Sequence, residues 1–270
     1  MNTDPDPGPL DSGTDDELLA VFDRQMREYA LPDGPGARIE RNGDVVRQVG
    51  PAPAWNGILW SDLTAANAEA QIAAQVRHFA SLGVECEWKL YAHDCPADLG
   101  QRLVAAGFEA EPAESLMVAR VADLSLDPGL APGISLHPVT DAAGVHLMAE
   151  VHEGAFGGDA SRLRERLLAQ LAEAPDTLIA VVAMAAGVPV SAARMELYPG
   201  TEFAGLWGGG TLPQWRGKGI YRALIAHRAR IAAERGCRYL QVDASDQSRP
   251  ILRRLGFTPL TVTTPYIRRP

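Results

Sequence analysis

Thr211-Leu212-Pro213-Gln214-Trp215-Arg216-Gly217-Lys218-Gly219-Ile220 decides the reading of this chain. The stretch joins a β-compatible run, Glu202–Leu212, to an amphipathic helical one, Gly217–Arg235, so its glycines stand on a strand-to-helix turn. Such a turn aims unpaired amide N–H groups and the positive end of a helix dipole at one point, which suits a diphosphate. Two phosphate loops fail on spacing. A Walker A loop needs a glycine at the position of Leu212 and a hydroxyl residue at that of Gly219. A dinucleotide fingerprint needs a third glycine where Arg222 stands and an acid at the end of the next strand, for which Asp243 is weak compensation. The pattern that survives is Gln-x-x-Gly-x-Gly, met by Gln214, Gly217 and Gly219.

Downstream follow a strand, Arg238–Asp243, a short helix, Ser248–Leu255, the triplet Leu255-Gly256-Phe257, and a closing strand pair, Phe257–Leu260 and Thr263–Arg268. Upstream lie a strand at Ile134–Val139 and helices at Asp141–Ala155 and Ser161–Ala172, with Asp141 and Asp159 as caps. A hairpin of Thr177–Ala185 and Val188–Leu197 turns at Ala186-Gly187. Over residues 134–270 this order, with the glycine loop at its centre, resembles the GNAT acetyltransferase superfamily. The resemblance implies a mixed α/β fold whose sheet splays at an acetyl-CoA site. It assigns backbone groups of Thr211 and Leu212 to the pantetheine arm. Gln214 and the amides of Trp215, Arg216, Gly217, Lys218, Gly219 and Ile220 make the pyrophosphate cradle. Ser245 and Ser248 fall at the pantetheine-contacting turn. Arg216, Lys218 and Arg222 either meet a ribose phosphate or form a solvated face.

The same order occurs earlier in the chain. Gly57-Ile58-Leu59-Trp60 precedes Ala106-Gly107-Phe108 by 47 residues from Trp60 to Gly107, and Gly205-Leu206-Trp207 precedes Leu255-Gly256-Phe257 by 49 from Trp207 to Gly256. Each interval holds a long helix, a strand and a short helix: Ala65–Leu82, Cys86–Tyr91 and Ala97–Ala106 in the first half. Around them stand a helix over Asp15–Tyr29, a hairpin of Ala37–Glu40 and Val45–Val49 at Asn42-Gly43, and strands at Trp55–Trp60, Phe108–Ala110 and Ser115–Val121. We therefore expect a tail at 1–13, a GNAT-like domain at 14–122, a linker at 123–133 and a catalytic GNAT domain at 134–270. The turn of the first half, Ser61-Asp62-Leu63-Thr64-Ala65-Ala66-Asn67, has no glycine and carries an acid where a phosphate would approach. The first domain is expected to be a degenerate partner without a CoA loop.

Composition bounds the rest. With 46% hydrophobic and 22% charged residues in 270, the chain is an ordinary globular one. No apolar run nears the roughly 18–20 residues that span a bilayer, and the acidic start Met1–Pro7 is unlike a signal peptide, so a cytoplasmic protein without membrane contact is expected. Three cysteines, Cys86, Cys95 and Cys237, make neither a disulfide framework nor a metal site. Residues 1–122 hold 20 acids and 9 bases, whereas 214–256 hold ten bases against three acids. Local basicity in an acidic chain suits a small polyanion rather than a nucleic acid.

Acetyl transfer from a thioester to an amine needs position, an oxyanion donor and proton transfer, with no protein nucleophile. Many GNAT members place a tyrosine acid four residues before the Gly-Phe pair; here that position is Leu252. Tyr266 on the last strand is the alternative acid, or else a core tyrosine. Glu202, at the start of the strand leading to the loop, and Asp243, at the end of the next, are candidate bases; a surface acid and a helix cap are their plain roles. Gly208-Gly209-Gly210 weakens a strand, as close ligand or backbone approach or a β-bulge requires. The expected activity is direct transfer of acetyl from acetyl-CoA to a primary amine, on a small molecule or peptide, without a metal; a CoA-binding scaffold without catalysis is the alternative.

Overall fold

The computed structural model describes residues 12–34 and 36–270. The expected tail lies outside the described residues as far as position 11, and residues 12 and 13 stand in the backbone of a helix. The first half contains α1 (Ser12–Phe22, continued by a π-helical turn, Asp23–Glu28), β1 (Arg38–Asn42), β2 (Val45–Val49), β3 (Gly57–Ser61), α2 (Ala68–Leu82), β4 (Cys86–Tyr91), α3 (Leu99–Ala105), β5 (Glu109–Ala110) and β6 (Glu114–Arg120). The second contains β7 (Ile134–Pro138), α4 (Ala142–Phe156), α5 (Ser161–Glu173), β8 (Leu178–Ala185), β9 (Val188–Leu197), β10 (Phe203–Thr211), α6 (Ile220–Glu234), β11 (Tyr239–Ala244), α7 (Arg249–Arg254) and β12 (Thr258–Arg268).

Local chemistry sets the boundaries. Asn42 pairs with Val45, so the hairpin turn is Gly43-Asp44, one residue later than expected, with Gly43 at φ +59°. Asp141 caps α4 by accepting the Gly144 N–H at 2.8 Å. Asp159 acts one position before the formal cap of α5, accepting from Ser161 N at 3.0 Å. Helix α2 starts at Ala68, because Thr64 and Asn67 close a turn ahead of it.

Twelve strands make one mixed sheet, in the order β1-β2-β3-β4-β12-β6-β11-β10-β9-β8-β7, with β5 beside β12. Parallel pairs occur at β3–β4, which α2 connects, and β10–β11, which α6 connects. The expected closing strand pair is one strand: a register shift between Pro259 and Thr261 bends β12 without turning it. That strand corrects the domain picture. It leaves the second half to pair with β4 and β6 of the first, while β6 pairs with β11. Position 122 therefore divides the sequence but not the sheet.

Apolar layers cover both faces. On one side Cys86 and Trp88 of β4 pack with Ile72 and Phe79 of α2 and Leu99 and Leu103 of α3. In the second half Ile225, Ala229 and Ala232 of α6, at the three- and four-residue spacing of one helix face, meet Leu206, Leu240, Leu252 and Phe257. Helix α1 lies across the middle, its Phe22 against Tyr91, Phe203 and Tyr239. Among the described residues no helix is long and apolar enough to cross a membrane.

Candidate active site

Strands β10 and β11 pair only from Phe203–Gly205 to Tyr239–Gln241, although they run on to Thr211 and Ala244. Past Gly205 they part and leave a V-shaped gap. Where the gap begins, β10 is bulged against β9 between Trp207 and Gly210. The three glycines follow from this. Gly208 sits at φ +58°, and a Cβ there would come within 3.0 Å of Arg194 Nη1. At Gly209 it would meet the Tyr221 ring at 2.9 Å, and at Gly210 the Phe156 ring at 2.7 Å. Of the features expected of this stretch the bulge is present, and the close neighbours of its glycines are side chains rather than backbone.

The loop after β10 passes through a short 3-10 turn, Pro213–Trp215, and reaches α6 through Gly217 at φ +74° and Gly219 at φ +77°. Both lie in the left-handed region that glycine occupies without strain. Among the described residues no acceptor takes the amide N–H groups of Gly217, Lys218, Gly219, Ile220, Tyr221 or Arg222. Six donors therefore stand free at the positive end of a 15-residue helix. Arg216 braces the loop, donating to Thr211 O at 3.1 Å and to Ala155 O, at the end of α4, at 3.2 Å. Lys218 Nζ lies 4.9 Å from the centroid of the Trp215 ring, and Gln214 is exposed. Arg222 is exposed, but Arg228 of the same basic stretch is buried and donates to Leu224 O and Arg194 O.

Thr211 and Leu212, expected beside the pantetheine arm, have backbone partners within the chain. Leu212 donates its N–H to Val190 O at 3.0 Å and accepts from Trp215 N, while Thr211 O takes Arg216. Their backbone groups are engaged within the chain, and the stretch bordering the gap is Leu206–Gly210. Ser245 and Ser248 do come together, with hydroxyls 3.3 Å apart, in the turn between β11 and α7.

The corresponding turn of the first half is built differently. Strands β3 and β4 also pair briefly, at Gly57-Ile58 with Glu87-Trp88, and β3 is bulged near Leu59. Yet Asp62 N donates to Asp44 O, Thr64 N to Asn67 Oδ1, and Asn67 N and Ala68 N to Thr64 O. This turn thus engages four of its amides, whereas those of Leu63, Ala65, Ala66, Glu69 and Ala70 have no acceptor among the described residues.

A cavity of about 320 Å³ lies beneath α1, between the two halves. Trp207, Gln241 and Asp243 wall it where β10 and β11 part, and Trp55, Leu59, Glu87, Lys89 and Tyr91 wall it from the first half. Asp243 has a side chain 4% exposed and an ion pair with Lys89. Burial disfavours the Lys89 ammonium, but Asp243 outweighs this and holds its pKa above the usual value. Asp243 Oδ1 is buried without a hydrogen-bond partner among the described residues. Nearby Glu114 has its pKa raised by burial and then by the charge of Asp243. Elsewhere Glu196, its pKa raised by burial and by Asp33, bridges Arg166 and Arg194.

Of the three proton-transfer candidates, Asp243 alone walls this cavity. Glu202 accepts from Gln25 Nε2 at 3.0 Å and pairs with Arg238, tying the end of α1 to the start of β11. Tyr266 sits in the core of the first half, because β12 lies beside β4: it pairs with Trp88, and a Cβ on Gly100 of α3 would come within 2.5 Å of its hydroxyl. Leu252 is fully buried. The sequence reading did not single out Glu87, Lys89 or Glu114. Their signal was Glu87-x-Lys89-x-Tyr91, polar groups alternating with buried Cys86 and Trp88 on one strand; a strand whose second face is also covered does not need them for solubility.

Residues 145–257 match the family model Acetyltransferase (GNAT). No curated protein matches the chain in sequence. Among solved structures the chain is similar to a GCN5-related N-acetyltransferase from Kribbella flavida, with TM-score 0.66, 19% identity and 94% of each chain covered. It is also similar to one from Sphaerobacter thermophilus, with TM-score 0.60, 14% identity, and 94% of this chain and 86% of that one covered. A tandem GNAT protein from the clavulanic acid biosynthesis pathway gives TM-score 0.58 at 12% identity, over 88% of this chain and 84% of that one. The chain therefore has the mixed α/β fold of these GCN5-related N-acetyltransferase structures, and the segment that matches the GNAT family model is the one that holds the parted strands, the glycine loop and α6.

Proposed function

We propose that the chain is an acetyl-CoA-dependent N-acetyltransferase built from two GNAT-like halves, of which only the second holds CoA. The observation that carries this reading is the conjunction of six free amides at the start of α6 with the gap between β10 and β11, against a cavity on the far side of the gap. The free N–H groups of Gly217 to Arg222 fit a diphosphate, and the two glycines leave its approach open. Ser245 and Ser248 border the pantetheine side, with Leu206–Gly210 facing the arm in place of Thr211 and Leu212. When bound there, acetyl-CoA supplies an acetyl thioester. The turn of the first half has no glycine and carries Asp62 where a phosphate would approach, and that half walls the acceptor cavity instead.

The remaining chemistry belongs to the chain's own residues. Trp207 and α1 shield the cavity from water, Asp243 and Glu114 orient an amine beside the gap, and the raised pKa of Glu114 makes it the better acceptor of the amine's proton. With Leu252 in the core at the usual tyrosine position, departure of a thiolate proceeds without a phenol acid, and the solvent completes its protonation.

Calorimetric titration with acetyl-CoA, followed by a thiol-release assay over an amine panel, tests this reading. Binding at one site per chain with turnover is expected. Binding without release toward any amine turns the assignment to a CoA-binding scaffold, and no binding at millimolar ligand removes both.

A further inference from the structure

The lining of the central cavity holds four acids and four bases, but acids behind the lining also engage its arginines. Arg27 is held by Asp23 and Asp94, and Arg166 and Arg194 by Asp33 and Glu196. Lys89 is on Asp243. Two cavity carboxylates, Glu114 and Glu87, then have no ion-pair contact among the described residues and share the charge of Lys89 with Asp243; Glu87 accepts only the Trp55 indole N–H, at 2.6 Å. Asp243 adds a second oxygen, Oδ1, that is buried and unpartnered. Burying carboxylates in this way is costly unless an opposite charge arrives.

Lys89 shows which charge fits. It is a primary alkylammonium on a flexible methylene stem. Its nitrogen rests on Asp243 and lies 5.7 Å from the centroid of the Trp207 ring. Carboxylate beneath and aromatic face beside is the environment that a free alkylammonium seeks. The rest of the wall is apolar, with Met26, Leu31 and Leu59 among its residues, and suits methylenes. The carboxylates come from three strands: Asp243 is on β11, Glu114 on the adjacent β6, and Glu87 on β4, three strands from β11. They are staggered along the strands, since Glu114 is level with Thr263 and Tyr91, and Glu87 stands four residues from Tyr91. At about 4.8 Å per strand, the lateral spread is about 14 Å.

We propose that this cavity binds an aliphatic di- or polyamine, one ammonium near Asp243 and Glu114 at the gap and another toward Glu87. As the acceptor assignment it rests on the acetyl-transfer reading, while the binding itself does not. An extended amine with several nitrogens matches separated carboxylates, whereas a monoamine leaves at least one of them bare. Burial and the charge of Asp243 raise the pKa of Glu114 although Lys89 lowers it.

The test is calorimetry on the full chain without acetyl-CoA. The probes are 1,4-diaminobutane and N-(3-aminopropyl)-1,4-diaminobutane, against butylamine and 1,4-butanediol as isosteres. We expect the triamine to bind most tightly at one site per chain and the diol not at all. Glu114→Gln and Glu87→Gln should each weaken the triamine by about tenfold or more. Lys89→Met, which removes the internal competitor, should tighten it. Equal binding of diamine and diol overturns the proposal on the unaltered chain, whatever the variants do. Unchanged affinity in both glutamine variants, each with a native melting profile, overturns it too, as does weakened binding in a folded Lys89→Met protein. Acetyl-CoA binding without amine binding defeats this proposal and leaves the transferase reading standing; amine binding without acetyl-CoA binding does the reverse.

Discussion

Tyr266 separates two accounts of the last strand. If it were the acid of the reaction, Tyr266→Phe would remove turnover and leave the fold untouched. Its surroundings say otherwise: the ring packs between Trp88 and α3 in the core of the first half, and its hydroxyl has no hydrogen-bond partner among the described residues. Deleting an unpartnered hydroxyl should cost less than about 1 kcal/mol. Cutting the ring back to a methyl group is different. Full burial of an aromatic is worth about 3–5 kcal/mol on truncation to alanine, and Tyr266 is only half-buried, so Tyr266→Ala should cost about 2–3 kcal/mol. Urea unfolding followed by tryptophan fluorescence reads this directly, since Trp88 is a neighbour. Thiol release with the same preparations reads the chemistry. Tyr266→Phe should keep near-normal turnover and midpoint, while Tyr266→Ala loses stability and keeps turnover at temperatures where it is folded. A hundredfold fall in turnover for Tyr266→Phe at unchanged stability would refute the reasoning and return the phenol to the active site.

Gly217→Val or Gly219→Val places a branched residue at positive φ beside the free amides; at about 1–2 kcal/mol of conformational cost the fold should survive, while calorimetry shows acetyl-CoA binding abolished. Ending the chain after Gly256 removes the strand between β4 and β6, and both halves should then lose cooperative unfolding, as monitored by circular dichroism and tryptophan fluorescence together. His152 and His227 are held below their ordinary pKa, in each case first by burial. The unfolded chain therefore takes up protons that the folded one refuses, so stability present above pH about 6.5 declines as the pH falls below it; urea midpoints at pH 7.5 and 5.5 should show the drop, and histidine-to-glutamine variants should flatten it.

Local features were the legible ones. The Gly217 and Gly219 loop, the hairpin at Gly43, the cap at Asp141 and strand β4 each follow from residues within a few positions of one another, where turn chemistry and periodicity act. The order of strand, helix, strand and Gly-Phe was legible in both halves. What it did not show is which strands take β12, since pairing across the chain leaves no local mark and Thr261-Val262 reads equally as a turn or a bulge. Leaving β12 unplaced kept both readings of Tyr266 open, acid and core tyrosine, and the structure packs it against the core. The same unplaced strand also hid the cavity, whose charged walls come from β4, β6 and β11 and meet only when those strands are side by side.

The exchange also fixes which contacts form by the longest route. Cys86 and Arg268 are register partners 182 positions apart in the chain, so the middle of the sheet closes through a loop that costs more entropy than any hairpin at its edges. Until it closes, β4 and β6 border a slot one strand wide. A slot of that shape does not distinguish its own β12 from that of another molecule, and concentrated refolding should trap reciprocally swapped pairs in which every hydrogen bond of the monomer is kept.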